Sequence, residues 1–223
     1  MKVKINGYII PNEHKRVYDF YKMDSCCPND IITAKSSAPN EPLEITIGTC
    51  YGGSIFAGSE IGAEIASHGA GSTGQILGLA ASAASVIAMH IKTLSIAPTA
   101  MLMIHNVSSA AEGDYHTMER EKNTLVNCNK AMAAAYSLKS GMSEDEALKM
   151  MDKETWLTAQ QAKEKGLVDE ILFNDGQLVA AIGPGMIPQA VIDKTLAMFA
   201  EQEPDNTAVN LAYAKLNLIE KTI

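Results

Sequence analysis

The 223-residue chain lacks a paired-cysteine spacing, a concentrated basic surface, a signal-peptide core and an apolar run long enough to cross a bilayer. Each absence removes a class of function. Its four cysteines, Cys26, Cys27, Cys50 and Cys128, form no CxxC or Cys/His pattern that would encircle zinc, and Cys26 and Cys27 are adjacent rather than loop-closing. A disulfide scaffold and a metal centre are therefore not expected, and a reducing, cytoplasmic setting is. Eighteen Lys and Arg against 26 Asp and Glu give a formal net charge of -8 and a pI near 5.1, which argues against a nucleic-acid binder. His14-Lys15-Arg16 is the one concentrated basic run, and it reads as a solvated face. The opening residues Met1-Lys2-Val3-Lys4-Ile5-Asn6-Gly7 have neither the apolar core nor the cleavage site of a signal peptide. Ile76 to Met89 is the most apolar stretch, but it contains two serines and is shorter than the ~20 residues a spanning helix needs, so no membrane partner is expected.

What is present is the composition of an ordinary globular protein, 47% hydrophobic and 20% charged, without repeats or low-complexity tracts. Alternation and turn residues predict strands over 3–10, 43–47, 73–79, 93–97, 101–104 and 167–172. The stretch from residue 11 to Asn40 reads as irregular. Helices are expected over 55–67 after Gly52-Gly53, over 82–89, and over a long span from Glu112 to Leu138 that stops at Ser140-Gly141. Ser143-Glu144-Asp145-Glu146 and Thr158-Ala159-Gln160-Gln161 both read as capping boxes that open short helices. Strands alternating with helices imply an α/β fold of stacked βαβ units around a parallel sheet, with the long helix projecting. We expect a main domain over residues 1–175. A C-terminal helical extension over 176–223 would follow, entered by Gly183-Pro184-Gly185 and carrying a helix over 189–199.

The residues with chemical content lie along that alternation. Ser82 stands in Gly78-Leu79-Ala80-Ala81-Ser82-Ala83-Ala84-Ser85, where an apolar strand turns into a helix. A hydroxyl there faces unpaired backbone N–H groups and the positive end of the helix dipole, which favours the charge that develops in acyl transfer. His105 ends the apolar run Met103-Ile104-His105, so a sheet can hold its ring beside the serine as a general base. His14, His68, His90 and His116 have ordinary structural explanations by position. Gly52 or Gly53, together with the amide of Ala83, can supply two N–H groups to a substrate oxygen without an intervening side chain. Taken singly, these features also have bland readings: small residues around Ser82 as close helix packing, Gly52-Gly53 as a plain turn, and Cys50 as a small buried hydrophobe.

Taken in order, the motifs resemble the Clp protease proteolytic subunit family, and more closely its phage and prophage branch, which includes head maturation proteases. The matching stretches are Gly52-Gly53 with Ala57-Gly58, the run from Gly78 to Ser85, Met103-Ile104-His105, and Glu154-Thr155-Trp156-Leu157-Thr158-Ala159 followed by Ala162 and Gly166-Leu167-Val168-Asp169. The resemblance spans most of residues 45–172. It implies a fold shared with crotonases and a Ser-His-acid triad of Ser82, His105 and Glu154, with Asp152 as the competing acid. It further implies oxyanion donors among Gly52, Gly53 and Ala83, and rings of subunits acting on peptide or protein substrates with no cofactor. An ATPase unfoldase or a capsid-assembly protein is the partner class implied. The sequence departs from the main branch in having Glu where Asp is usual and Cys50-Tyr51-Gly52-Gly53 where Ser-Pro-Gly-Gly is usual. Two alternatives stand beside the endopeptidase: a crotonase-like acyl-CoA enzyme using the two backbone donors on a thioester enolate, and a non-catalytic ring-forming assembly protein.

Overall fold

A computed structural model describes residues 1–173. The expected extension over 176–223, with its turn and helix, lies outside the described residues. The chain opens with β1 (Lys2–Ile9), α1 (Lys15–Phe20), β2 (Ser25–Cys26) and α2 (Pro28–Ser37). It continues through β3 (Leu43–Gly53), α3 (Ile55–Ala66), β4 (Ser72–Ala81), α4 (Ala83–Met89), β5 (Thr93–Ile96) and β6 (Met101–Ile104). Then follow α5 (Tyr115–Ser140), α6 (Glu144–Asp152), β7 (Thr155–Thr158), α7 (Ala159–Glu164) and β8 (Glu170–Ile171). The α/β class expected from alternation is the one found.

Two departures from the expected elements are local. The stretch read as irregular contains α2, which begins with Pro28 in the first helical turn and a reciprocal cap between Cys27 and Asp30, whose carboxylate accepts from the Cys27 N–H at 2.8 Å. Cysteine is not among the preferred capping residues, so the start signal was hidden. At Ser143, the hydroxyl accepts from the Glu146 N–H at 3.2 Å, which is one half of the expected box. Thr158 and Gln161 form the full box.

Among the described residues all strand pairs are parallel except one, and the sheet forks at β4. Its main path runs β2-β1-β3-β4-β5-β8. The first half of β4, Thr73 to Ile76, pairs with β5, whereas Leu79 to Ala81 pair with β6, and β6 then takes antiparallel β7 on its other edge. The fork follows from composition. Pro98 interrupts the chain between β5 and β6 and separates one apolar run into two short strands that diverge. The core is built from β-branched residues of the sheet, Ile5, Ile45, Ile47 and Ile76, with Ile61 and Ile65 of α3 and Ile87 of α4 against them, all at most 2% exposed. In α4 every residue is buried, so its small side chains let it lie close to the sheet.

The long helix α5 is 26 residues, about 39 Å, and its buried residues are confined to Met132, Ala133, Ala135 and Tyr136. Its final turns therefore dock on α4 while the preceding four turns face outward. Lys139 fixes the docked end, donating to Asp169 at 2.7 Å, and the same Asp169 oxygen accepts from Leu94 N at 2.7 Å. That explains the aspartate of Gly166-Leu167-Val168-Asp169 as a tie between α5, β5 and the start of β8. Among the described residues no helix is long and apolar enough to cross a membrane.

Leu102, 0% exposed on β6 between β4 and β7, is the most direct test of the fork. Leu102→Ala is expected to lower unfolding free energy by about 3 kcal/mol, read from the midpoint of a urea titration.

Candidate active site

Ser82 caps α4 with φ 55° and ψ -125°, a backbone conformation that L-residues rarely adopt. Such a geometry costs on the order of 1–3 kcal/mol and persists only where its surroundings enforce it. Here they do. The Ser82 N–H donates to Met103 O at 3.0 Å, which carries the β4–β6 ladder one residue past the strand end, and the Ser82 carbonyl accepts from Ser85 N at 2.9 Å and Val86 N at 3.2 Å, which starts the helix. The hydroxyl is thrust out of a sharp strand-to-helix bend, as nucleophiles are in hydrolases of other folds.

The bend needs room, and the flanking sequence provides it. Ala80 and Ala84, two residues to either side of Ser82, are fully buried. Gly52 (φ 89°) is pressed against the same turn: a Cβ there would lie 2.6 Å from Ser82 Cβ, 2.7 Å from Ala81 O and 2.9 Å from Ala83 N. Gly53 (φ 138°) follows in a conformation that likewise favours glycine.

Because Ser82 is joined to Met103 through the backbone, His105 emerges two residues further along the same edge. Its Nε2 lies 2.8 Å from Ser82 Oγ. The loop after it is tied back by the Val107 N–H, which donates to Asn129 of α5 at 2.8 Å. The other histidines are accounted for elsewhere. His90 Nδ1 is 2.9 Å from Val86 O at the end of α4, and buried His68 has Nε2 2.7 Å from Glu41 O.

A cavity of about 260 Å³ opens beside this pair. Ser82, His105, Gly53 and Ala83 line it, and Val86 and Met132 contribute an apolar wall. Gly53 and Ala83 are thus the two of the three sequence-predicted donor residues that border the space. Gly52 does not line it; this residue is buried and packed against the Ser82 turn. Burial pushes the Cys50 thiol up to about 11, and the residue is fully inaccessible, so it stays a protonated, packed side chain.

The two carboxylates are engaged elsewhere. Asp152 Oδ1 accepts from Asn106 Nδ2 at 2.9 Å, and Glu154 Oε1 accepts from Trp156 Nε1 at 3.2 Å. Their backbone positions differ. The antiparallel ladder of β6 and β7 ends with Ile104 paired to Thr155, so His105 and Glu154 each lie one residue beyond it. Glu154 adopts φ 47° as the chain turns from α6 into β7, and its N–H donates to Met151 O at 3.0 Å. Asp152 closes α6, two residues earlier.

With this geometry in place, comparison with known proteins is direct. A family model described as Clp protease matches residues 21–175. The chain is 30% identical over 149 residues to the ATP-dependent Clp protease proteolytic subunit 1 of Chlamydia abortus, an alignment covering 63% of this chain and 74% of that one. It is 31% identical over 137 residues to the ATP-dependent Clp protease proteolytic subunit of Bacteroides fragilis, covering 60% and 66% respectively. The family match begins 24 residues before Ile45, the start of the span over which the sequence carried the resemblance.

Gly52→Ala is expected to leave a folded protein whose Ser82 no longer reacts with a fluorophosphonate, because the added methyl meets backbone atoms that cannot retreat. Circular dichroism and in-gel probe labelling check the two halves. Iodoacetamide at neutral pH should modify partly exposed Cys128 in the native protein and spare Cys50.

Proposed function

Because this chain belongs to the Clp protease family, we propose that it is a ClpP-like serine endopeptidase in which Ser82 is the nucleophile and His105 its base. The observation that carries the assignment is the 2.8 Å contact between Ser82 Oγ and His105 Nε2 at a strained strand-to-helix turn. With the Nδ1–H tautomer, the serine hydroxyl donates to Nε2. His105 takes that proton as Ser82 attacks the peptide carbonyl, and passes it to the departing amine; a water then repeats the sequence on the acyl-enzyme. The carbonyl oxygen, as it becomes an oxyanion, is met by the amides of Gly53 and Ala83. An acyl-CoA enzyme would give the Ser82–His105 contact no task.

Glu154 is the acid of this reading. What supports it is that Glu154 and His105 each follow the last pair of the β6–β7 ladder, and the reading requires a side-chain rotation that exchanges Trp156 Nε1 for the imidazole. A third member has only to hold the ring and stabilise imidazolium, which Glu can do as well as Asp if its extra methylene is taken up by the backbone. The positive φ at Glu154 is the sort of local adjustment that would do so. Glu154-Thr155-Trp156 also favours the phage-type branch. The apolar wall of Val86 and Met132 favours substrates with an apolar side chain before the scissile bond.

A homo-oligomeric ring is the assembly we propose, with the outward-facing turns of α5 as its contact surface. The relatives' names couple their subunits to ATP-dependent proteolysis, and an ATPase or a capsid-assembly partner is proposed here on that basis.

A fluorophosphonate should label the wild type and not Ser82→Ala; equal labelling of both removes Ser82 from the mechanism. Glu154→Gln is expected to lower kcat on a fluorogenic peptide by on the order of 10⁴-fold. Asp152→Asn should change it little, and the reverse pattern would transfer the role of acid to Asp152. Light scattering that shows monomer at all concentrations would overturn the ring.

A further inference from the structure

Behind the nucleophile lies a pair of buried hydroxyls to which the proteolytic reading gives no part. Ser85 is one turn into α4 and fully buried; its Oγ lies 2.6 Å from the Ser82 carbonyl oxygen and 2.8 Å from the Tyr136 hydroxyl. Tyr136 arrives from the docked end of α5, 51 residues away in sequence, and is 1% exposed. The direction of the bonds follows from the atoms. A carbonyl oxygen only accepts, so the single hydroxyl proton of Ser85 goes to Ser82 O, and the lone pairs of Ser85 Oγ are left to accept from the phenol. Burial raises the Tyr136 hydroxyl well above its ordinary range, which keeps the donated proton in place.

A serine bonding back to the carbonyl three residues earlier is common helix behaviour. A buried phenol is not required by the helix, and it is costly there unless its hydroxyl finds a partner; Tyr136 reaches the border of the same cavity that Ser82 and His105 line. The partner it finds leads straight to the reactive turn. The Ser82 carbonyl and the Ala83 N–H are opposite ends of one planar trans peptide. Fixing the oxygen therefore fixes the line along which the N–H points, and that line leads away from Ser85. Ala83 borders the cavity beside Ser82 and His105. A hydrogen bond accepted by the oxygen also polarises the peptide and strengthens its N–H as a donor.

We propose that Tyr136 and Ser85 are positioning residues for the oxyanion hole, a two-hydroxyl relay that orients and polarises the Ser82–Ala83 peptide so that the Ala83 N–H meets the negative charge developing on the substrate carbonyl. The proposal rests on the serine-peptidase reading and extends it to a residue of the long helix. It requires the relay to matter in the transition state, where the oxygen is charged, and hardly at all when substrate first binds.

Tyr136→Phe removes one oxygen atom and keeps the ring; Ser85→Ala breaks the relay at its middle. Four quantities are measured for each variant: the number of Ser82 sites titrated at saturating fluorophosphonate, kcat and KM on a fluorogenic peptide, and the affinity of a peptide boronate, whose tetrahedral adduct places a charged oxygen in the hole. The expected result for Tyr136→Phe is full titration, an unchanged KM, and a roughly 10-fold fall in both kcat and boronate affinity. That is short of the 10²–10³-fold typical of losing an oxyanion donor outright. Ser85→Ala should lose at least as much, and adding Tyr136→Phe to it should cost nothing further, since the relay is already cut. Unchanged kcat and boronate affinity in both variants would overturn the proposal, as would a fall in kcat that merely tracks the number of titrated sites. A wild type that titrates no serine overturns the peptidase reading, and this one with it. A titrating wild type with unaltered variants overturns the relay alone.

Discussion

The Ser82 turn is the constraint around which the rest is arranged. A non-glycine residue at φ 55° and ψ -125° is unfavourable by itself, so the fold has to hold it from several sides. Met103 takes its N–H, the first turn of α4 takes its carbonyl, and Gly52 leaves the space its Cβ occupies. Because the strain is borne by backbone contacts, the side chain carries none of it and is free to present its oxygen to His105. The alanines on either side are then required for the same reason as the glycine. Both are fully buried, so a larger side chain at either would have to displace its neighbours.

The sheet supplies the other half of the arrangement. Parallel strands end together, and β4 and β6 end side by side, one in Ser82 and the other in His105. One antiparallel strand, β7, then returns along β6, and Glu154 immediately precedes it. Register alone therefore brings Ser82 and His105 to one edge, and the 2.8 Å contact between their side chains completes what the register has placed. Glu154 is held instead by Trp156.

Much of this was legible before any coordinates. The alternation of apolar strands with helices was plain because β-branched residues recur at every second position on the buried face of the sheet, as in Ile45 and Ile47 of β3 and Ile76 of β4. Ser82 and His105 could be singled out because each sits where an apolar run ends. Three features were hidden for physical reasons. The helix over Pro28 to Ser37 opens on a cysteine cap, which no propensity scale rewards. Gly52 and Gly53 are chemically identical in sequence, and only the path of the chain shows that one is packed behind the serine while the other borders the cavity. Ser85 looked like one more small residue in a tight helix. Its bond to Tyr136 spans 51 residues, and the only trace in the sequence was a second hydroxyl in an otherwise apolar segment.

The fork in the sheet has a consequence for how such a protein can diverge. The strand that leads to Ser82 gives its first half to β5 and its second to β6. The arms are joined again outside the sheet, because Asp169 at the start of β8 holds both Leu94 of β5 and Lys139 of α5, the helix whose docked end carries Tyr136. A lineage is therefore not free to vary the outer arm at will: its loops can drift, but the aspartate that fastens it to the helix is shared property of both halves.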